Sequence, residues 1–230
     1  MFITFEGIDC CGKSTQARLL ATRLEETGRS VMMLREPGDT RLSEHIREIL
    51  LNKKFEEMNE RTELLLFAAS RAQLVAEVIL PALEQDKIVI CDRFYDSTVA
   101  YQGYGRQLPL EDIIHINRIA TQELVPDMTF FIDVCPEVAF ERCQDRFEGR
   151  DRMEESGIRF YERVMNGYMR IAQENGGRFY IVNGHKRVDD VHSTIWRLIL
   201  ERSGELPAAM QPASADEALT GELAEASIAL

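Results

Sequence analysis

Short apolar runs of strand length punctuate the chain at residues 2–5 (FITF), 30–34 (SVMML), 88–91 (IVIC), 129–134 (TFFIDV) and 179–182 (FYIV). Between them lie longer segments whose apolar positions recur every three or four residues, the helical period. These cover 14–27, 60–80, 110–123, 136–145, 155–175 and 188–202. Leu19, Leu20 and Leu24 supply the apolar face of the first, and Gly28 suits its C-terminal stop. Pro81 is expected to end the second, because proline has no N–H with which to continue the ladder. Strands that are apolar on both faces and alternate with helices predict an α/β fold built on a mostly parallel sheet with helices on both sides.

The pattern fades near residue 203. Residues 203–230 hold eight alanines, two prolines, five acids, no base and no aromatic residue, so they are expected to form a disordered acidic tail that buries little apolar surface. The folded domain is therefore expected over 1–202, with no internal repeat. The whole chain of 230 residues has 27 basic and 39 acidic side chains, a net charge of −12. Without the tail the balance is still −7. A surface this acidic disfavours nucleic-acid binding, so an anionic ligand must be held by a local cluster of donors. No run of about 18 apolar residues occurs, and the N-terminus reads as a strand carrying Glu6 and Asp9, so a membrane span and a secretion signal are not expected and a cytoplasmic location is. Five cysteines at 10, 11, 91, 135 and 143, with no CxxC spacing, predict reduced thiols, Cys135 and Cys143 serving as packing residues.

The chemistry enters at Gly7-Ile8-Asp9-Cys10-Cys11-Gly12-Lys13-Ser14, which fits GxxxxGK[ST] and sits directly between the first strand and the first helix. In that setting successive backbone N–H groups turn inward around phosphate oxygens, and the helix N-terminus adds positive potential. Residues 7–15, through Thr15, are thus expected to bind ATP, with Lys13 bridging the β and γ phosphates and Ser14 holding Mg²⁺. A switch GTPase would add DxxG and NKxD after later strands, and neither is present. The third strand ends instead in Asp92-Arg93, a carboxylate suited to magnesium followed by a guanidinium suited to a second phosphate group. Adjacent thiols at Cys10 and Cys11, beside Lys13 and a helix N-terminus, invite the expectation of one reactive cysteine protected by ATP.

The chain then resembles the thymidylate kinase family. FEGIDxxGKST at 5–15, REPG at 35–38, Glu63 to Gln73, DRFYDSTVAYQGYGR at 92–106 and Asp151-Arg152-Met153-Glu154 before FYERVMNGY follow the family's order over about residues 2–200. Two positions depart from it: Cys10-Cys11 replace the usual small residues, and Asp39 follows REPG where another glycine is common. The resemblance implies a P-loop kinase fold with a five-stranded parallel sheet and a short lid at about 142–154, ATP and dTMP as substrates, Mg²⁺, and a homodimer. The alternatives are another nucleoside monophosphate or deoxynucleoside kinase, or a silent nucleotide-binding module.

Carried over by position, the resemblance assigns the dTMP site to Asp9, Glu36, Phe67, Arg71, Arg93, Thr98, Tyr101 and Gln102. Phe67 offers a face to the pyrimidine, and Arg71, one helical turn on, reaches a base carbonyl. Thr98 and Gln102 address the base edge, Arg93 the acceptor phosphate, and Tyr101 the 2′ side of the sugar. Asp9 is expected near the 3′-OH and Glu36 near the phosphates, while Ser14 and Asp92 are the metal residues. Some family members carry a catalytic arginine in the P-loop where Cys10 stands here. Arginine must then come from the lid, where RCQDRFEGRDR supplies Arg142, Arg146, Arg150 and Arg152, with Arg146 and Arg150 preferred and Arg152 able to pair with Glu154 or Glu155. Lys13, Arg93, Arg146, Arg150 and Arg152 form the expected catalytic set.

Overall fold

The computed structural model describes residues 1–144, 152–153 and 156–204. The tail from 205 onward and most of the expected lid, Arg146 and Arg150 included, lie outside the described residues.

Five strands, β1 (Phe2–Glu6), β2 (Val31–Arg35), β3 (Ile88–Asp92), β4 (Met128–Asp133) and β5 (Phe179–Asn183), form one sheet in the order β2-β3-β1-β4-β5, every neighbouring pair parallel. The central strand β1 and its neighbour β4 carry apolar side chains on both faces. Phe130 packs on Phe5 and Tyr180, while Phe131 stacks on Tyr168 from the opposite face. That is why these runs lack polar alternation. Helix α1 (Lys13–Glu26) packs beside α9 (Val188–Ser203), and Leu20, Leu24, Ile195 and Ile199 join the larger core. A second core forms where Leu74, Val75 and Ile79 meet Phe2, Val89 and Cys91 of the sheet.

Helix α3 (Glu60–Leu74) passes through a π turn (Val75–Ile79) into α4 (Leu80–Glu84), so Pro81 does not stop the helix as expected. The register change leaves Pro81 in the first turn of α4, where a missing N–H costs little. The composite helix Glu60–Glu84 has a mean hydropathy of 1.6 in its most apolar window, long and apolar enough to cross a membrane by composition. Its packing against α2 (Arg41–Leu51) and α6 (Leu110–Thr121), and the charged Glu63 and Arg71 buried on it, mark it as a core helix of this fold.

Two helical stretches escape the sequence pattern. One is α2, capped by Thr40, whose side chain accepts from the Ser43 N–H. The other is α5 (Tyr95–Thr98) running into a second π turn (Val99–Gly105). The latter packs intimately on α8 (Ile158–Glu174), with Tyr104 seated over Gly167 and the Phe160 ring over Gly105. Helix α7 (Pro136–Gln144) follows β4.

A Cβ on Gly105 would stand 2.6 Å from the Phe160 ring, whose side chain is itself buried. Gly105→Ala is therefore expected to destabilise the fold by about 1–3 kcal/mol, the cost of overpacking a filled core. Urea unfolding of the two proteins measures this, and an unchanged midpoint would show that the ring shifts freely.

Candidate active site

The parallel strands direct their C-terminal ends toward one edge, where β1 and β3 lie side by side with Phe5 opposite Asp92. The loops that leave these strands form a cleft, the usual place for a ligand in an open α/β sheet. The first is the P-loop. Gly7 has φ 138°, and a Cβ there would meet Cys11 Sγ and the Ile132 carbonyl, both at 2.8 Å, so only glycine fits. Gly12, at φ 106°, opens α1 with no side-chain cap and no acid in the first turn. The helix's first N–H groups thus remain available to an anion. Lys13 is buried, its Nζ donating to the Ile8 carbonyl at 2.8 Å. Ser14 donates its hydroxyl to Asp92, which joins the two expected metal residues across the loop.

The cysteines correct the sequence reading. Cys10 and Cys143 form a disulfide here, their Cα atoms 5.6 Å apart within the normal span of such bridges, where reduced thiols were expected and Cys143 was expected to serve in packing. Cys11 is buried, and burial pushes its thiol above the ordinary range in spite of Lys13 and Arg93, the opposite direction to the lowered thiol expected there. Cys11, Cys91 and Cys135 are free thiols. Sequence spacing held no sign of a bridge spanning 133 residues.

Arg93 stands at the centre. It adopts φ 75°, a left-handed conformation uncommon for a large side chain, and its N–H donates to the Phe5 carbonyl at 2.9 Å. Its guanidinium donates to the Gly7 carbonyl at 2.7 Å and to Asp9 Oδ1 at 2.6 Å, and lies 5.0 Å from the Tyr101 ring centroid. One arginine thereby touches the P-loop, a carboxylate and the acceptor side.

That acceptor side is a pocket lined by all eight residues expected to bind dTMP: Asp9, Glu36, Phe67, Arg71, Arg93, Thr98, Tyr101 and Gln102. Phe67 and Arg71 project from one face of α3, a turn apart. Arg71 is buried and donates to Asn117 Oδ1 and Thr98 Oγ1, each at 2.8 Å, and Glu36 Oε1 lies 2.7 Å from its Nη2. Burial pushes the Glu36 carboxyl above its usual range, opposed chiefly by Arg71, and its Oε2 has no hydrogen-bond partner among the described residues. The Glu36–Pro37 peptide is cis. Asp39, the residue in place of a common glycine, holds φ 62° and is tied down by its contacts with Arg35 and Glu44. A short side chain that bonds locally tolerates that conformation.

Several participants were not expected. Glu63, buried one turn before Phe67, receives Gln102 Nε2 at 2.9 Å and Arg106 at 3.2 Å, and lies 2.7 Å from Arg152 Nη1. Burial raises its carboxyl, but Arg106, Gln102 and Arg152 outweigh that and hold it below the usual range. Arg152 also donates Nε to the Leu50 carbonyl at 2.8 Å, so among the described residues its partners are Glu63 and Leu50; Glu154 and Glu155, the partners expected, lie outside them. Arg142, expected among the lid arginines, donates to the Gly184 carbonyl at 3.0 Å and lines the P-loop cleft. Arg47 lines both the acceptor pocket and that cleft. Its helix, α2, has the strong amphipathic pattern that would have pointed to it.

The comparisons with known proteins agree with this geometry. A family model described as Thymidylate kinase matches residues 5–195. The chain belongs to the thymidylate kinase family. It is 51% identical to the thymidylate kinase of Chlorobaculum tepidum, over 85% of this chain and 94% of the relative, and 50% identical to that of Prosthecochloris aestuarii, over 90% and 96%. The crystal structure of thymidylate kinase from Ehrlichia chaffeensis shares 38% identity and a TM-score of 0.71, covering 86% of this chain and 97% of that one.

Beneath the site, Glu6 is fully buried at the end of β1 and accepts from the Phe94 N–H at 2.8 Å and the Tyr168 hydroxyl at 2.9 Å. Burial, reinforced by Asp96, raises its carboxyl to about 7. A folded-state value above the unfolded one means that the unfolded chain loses this proton first as pH rises. Stability contributed by protonated Glu6 is therefore full below about 4.5 and lost progressively up to about 7. Glu6→Gln keeps an acceptor and removes the titration, so its stability relative to the parent should be greater at pH 8 than at pH 5. Denaturant unfolding at both pH values measures this; an equal difference at each would mean that Glu6 is ionised throughout.

Proposed function

We propose that this chain transfers the γ-phosphate of ATP to dTMP, giving dTDP and ADP, and that it does so as a cytoplasmic homodimer with Mg²⁺. The observation that carries the reading is the meeting, at Arg93, of a P-loop and a pocket lined by Phe67, Arg71, Thr98 and Gln102. Two anions brought to one guanidinium are what phosphoryl transfer between phosphates needs, since a monophosphate acceptor already carries its nucleophilic oxygen and little proton transfer is required.

On the donor side, the Gly12 to Thr15 backbone wraps the phosphates, and Lys13 leaves the Ile8 carbonyl to bridge β and γ oxygens. Ser14 and Asp92 fit a magnesium ion, because a hydroxyl and a carboxylate already in contact leave its other positions to phosphate and water. Bound there, the ion would neutralise charge on the transferred group. On the acceptor side, Phe67 stacks on the pyrimidine, Arg71 and Thr98 meet its polar edge, and Gln102 does so with an amide fixed by Glu63. Asp9 holds the sugar hydroxyl, and Tyr101 fills the space where a ribose 2′-OH would stand. Glu36 fixes Arg71. Because Arg152 is paired with Glu63 and Leu50, we read it as a positioning residue, which leaves Arg146 and Arg150 as the arginines for the transferred phosphoryl. Exposed Leu42, Ile49, Leu65 and Ile114 on the neighbouring helices α2, α3 and α6 support pairing of two copies.

With dTMP, dUMP, UMP, CMP and thymidine offered in a coupled ADP-release assay, dTMP is expected to be turned over fastest; no turnover of dTMP by the reduced, Mg²⁺-supplied enzyme would overturn the reading. Phe67→Ala should raise KM for dTMP far more than for ATP, since stacking a base on an aromatic contributes about 1–3 kcal/mol. Equal changes in both constants would make Phe67 a core residue only. Replacing the finger arginine, Arg146 or Arg150, with alanine should lower kcat by about 10³-fold while dTMP affinity holds. Arg152→Ala should instead lower the melting temperature, and a loss confined to kcat would return it to the catalytic group.

A further inference from the structure

Cys10, in the wall of the donor cleft, is joined to Cys143. Cys10 lies in the P-loop at φ 61°, and Cys143 in the last turn of α7. The cleft has two lobes, one around Lys13, Ser14 and Asp92, the other running toward Gly184 and Val188. Cys10 and Arg142 line both, so the Cys10 half of the bridge stands where the lobes meet. Next to it, Arg142 ties the same turn of α7 to the Gly184 carbonyl at 3.0 Å. The P-loop and the end of α7 are thus two walls of the donor site joined by one covalent bond, while a separate hydrogen bond ties α7 to the chain just after β5. Cys11 and Cys91 are buried and free and Cys135 is half-buried and free, so Cys10 and Cys143 are the bonded pair among the described residues.

We propose that this pair is a redox-sensitive modification site at the donor-nucleotide cleft, reduced and open in the resting enzyme, and bridged on exposure to an oxidising disulfide, when it hinders ATP entry and ADP release. The inference rests on the donor-site reading above. Disulfides inside cells are usually transient and sensing rather than permanent, which fits a bridge at a mobile substrate's doorway. The chemistry balances as thiol–disulfide exchange with oxidised glutathione. One cysteine thiolate attacks a glutathione sulfur and expels a glutathione thiolate, giving a mixed disulfide. The second thiolate then attacks the protein sulfur and expels the other. Two protein thiols lose two electrons and two protons in all, and one glutathione disulfide becomes two glutathione thiols. The bridge holds one separation between walls that must part as nucleotide passes, whereas Phe67, Arg71 and Thr98 lie beyond Arg93 and keep their geometry.

The experiment equilibrates the full chain in reduced and oxidised glutathione, maps its linked peptides by mass spectrometry, and measures kinetics in both states. Oxidised protein is expected to show a peptide joining 10 to 143 and a kcat/KM for ATP at least about tenfold lower, restored by dithiothreitol, with the dissociation constant for dTMP unchanged. Cys143→Ser should keep the rate of the reduced parent in both buffers. The proposal falls if no 10–143 link forms, if the linked protein keeps the reduced rate, or if Cys143→Ser loses activity equally on oxidation. Should the reduced protein phosphorylate no dTMP, the functional reading fails separately. The bridge is then judged on the linked peptide and on the association rate of a non-hydrolysable ATP analogue, which must be slower after oxidation.

Discussion

A guanidinium on a residue that is only 1% exposed is a charge taken out of water, so the fold must bring partners to it or fail. Arg71 is that group. Its partners come from four places in the chain: Glu36 after β2, the Phe94 carbonyl after β3, Thr98 in α5 and Asn117 in α6. Satisfying one charge therefore fixes how α3, α5 and α6 stand over the C-terminal ends of β2 and β3. The acceptor pocket is the space these elements leave. Its polar lining is oriented before any substrate arrives, and a pair of charges held this way contributes more to a unique arrangement than to net stability.

The donor half follows a different logic. There the anion site is made of main chain, and what matters is which residues let the backbone approach. Gly7 is boxed in by Cys11 and Ile132, Gly12 turns the chain into α1, and Cys10 and Arg93 both occupy left-handed conformations that large side chains avoid. Such conformations persist where surrounding contacts over-determine them. Arg93 has those contacts in the Gly7 carbonyl, Asp9 and the Phe5 carbonyl, so the residue that joins the two half-sites is itself held from three sides.

The sheet was legible because strands buried on both faces carry unbroken apolar runs, and the P-loop because its glycines and lysine sit at fixed offsets. The eight acceptor residues were legible through the family's motifs rather than through periodicity: Phe67 alone reads as a core aromatic. What escaped depends on contacts between distant segments. Glu63 looks like one more acid on a helix until Gln102, Arg106 and Arg152 converge on it. Helix α2 was hidden behind REPG, whose turn residues drew attention from the amphipathic run that follows. Pro81 misled because a π turn upstream changes the register in which it must be accommodated. The Cys10–Cys143 pair could not be read at all, since no local pattern records that the end of α7 returns to the P-loop.

These two logics divide the work of the cleft. On the proposed reading, a pocket whose donors and acceptors already hold one another needs little reorganisation when the correct base arrives, and it leaves charged groups unpaired when the wrong one does, which would put discrimination on the Arg71 side. The donor loop instead keeps Lys13 turned inward to the Ile8 carbonyl, a bond that a triphosphate must replace. Binding there is an exchange rather than a fit, and its strength depends on how closely the surrounding walls can draw in on the phosphates. Glu63 links the two: through Gln102 it sets the acceptor amide, and through Arg152 it anchors the far end of the segment that α7 begins. One buried carboxylate thus ties the amide of the acceptor pocket to Arg152.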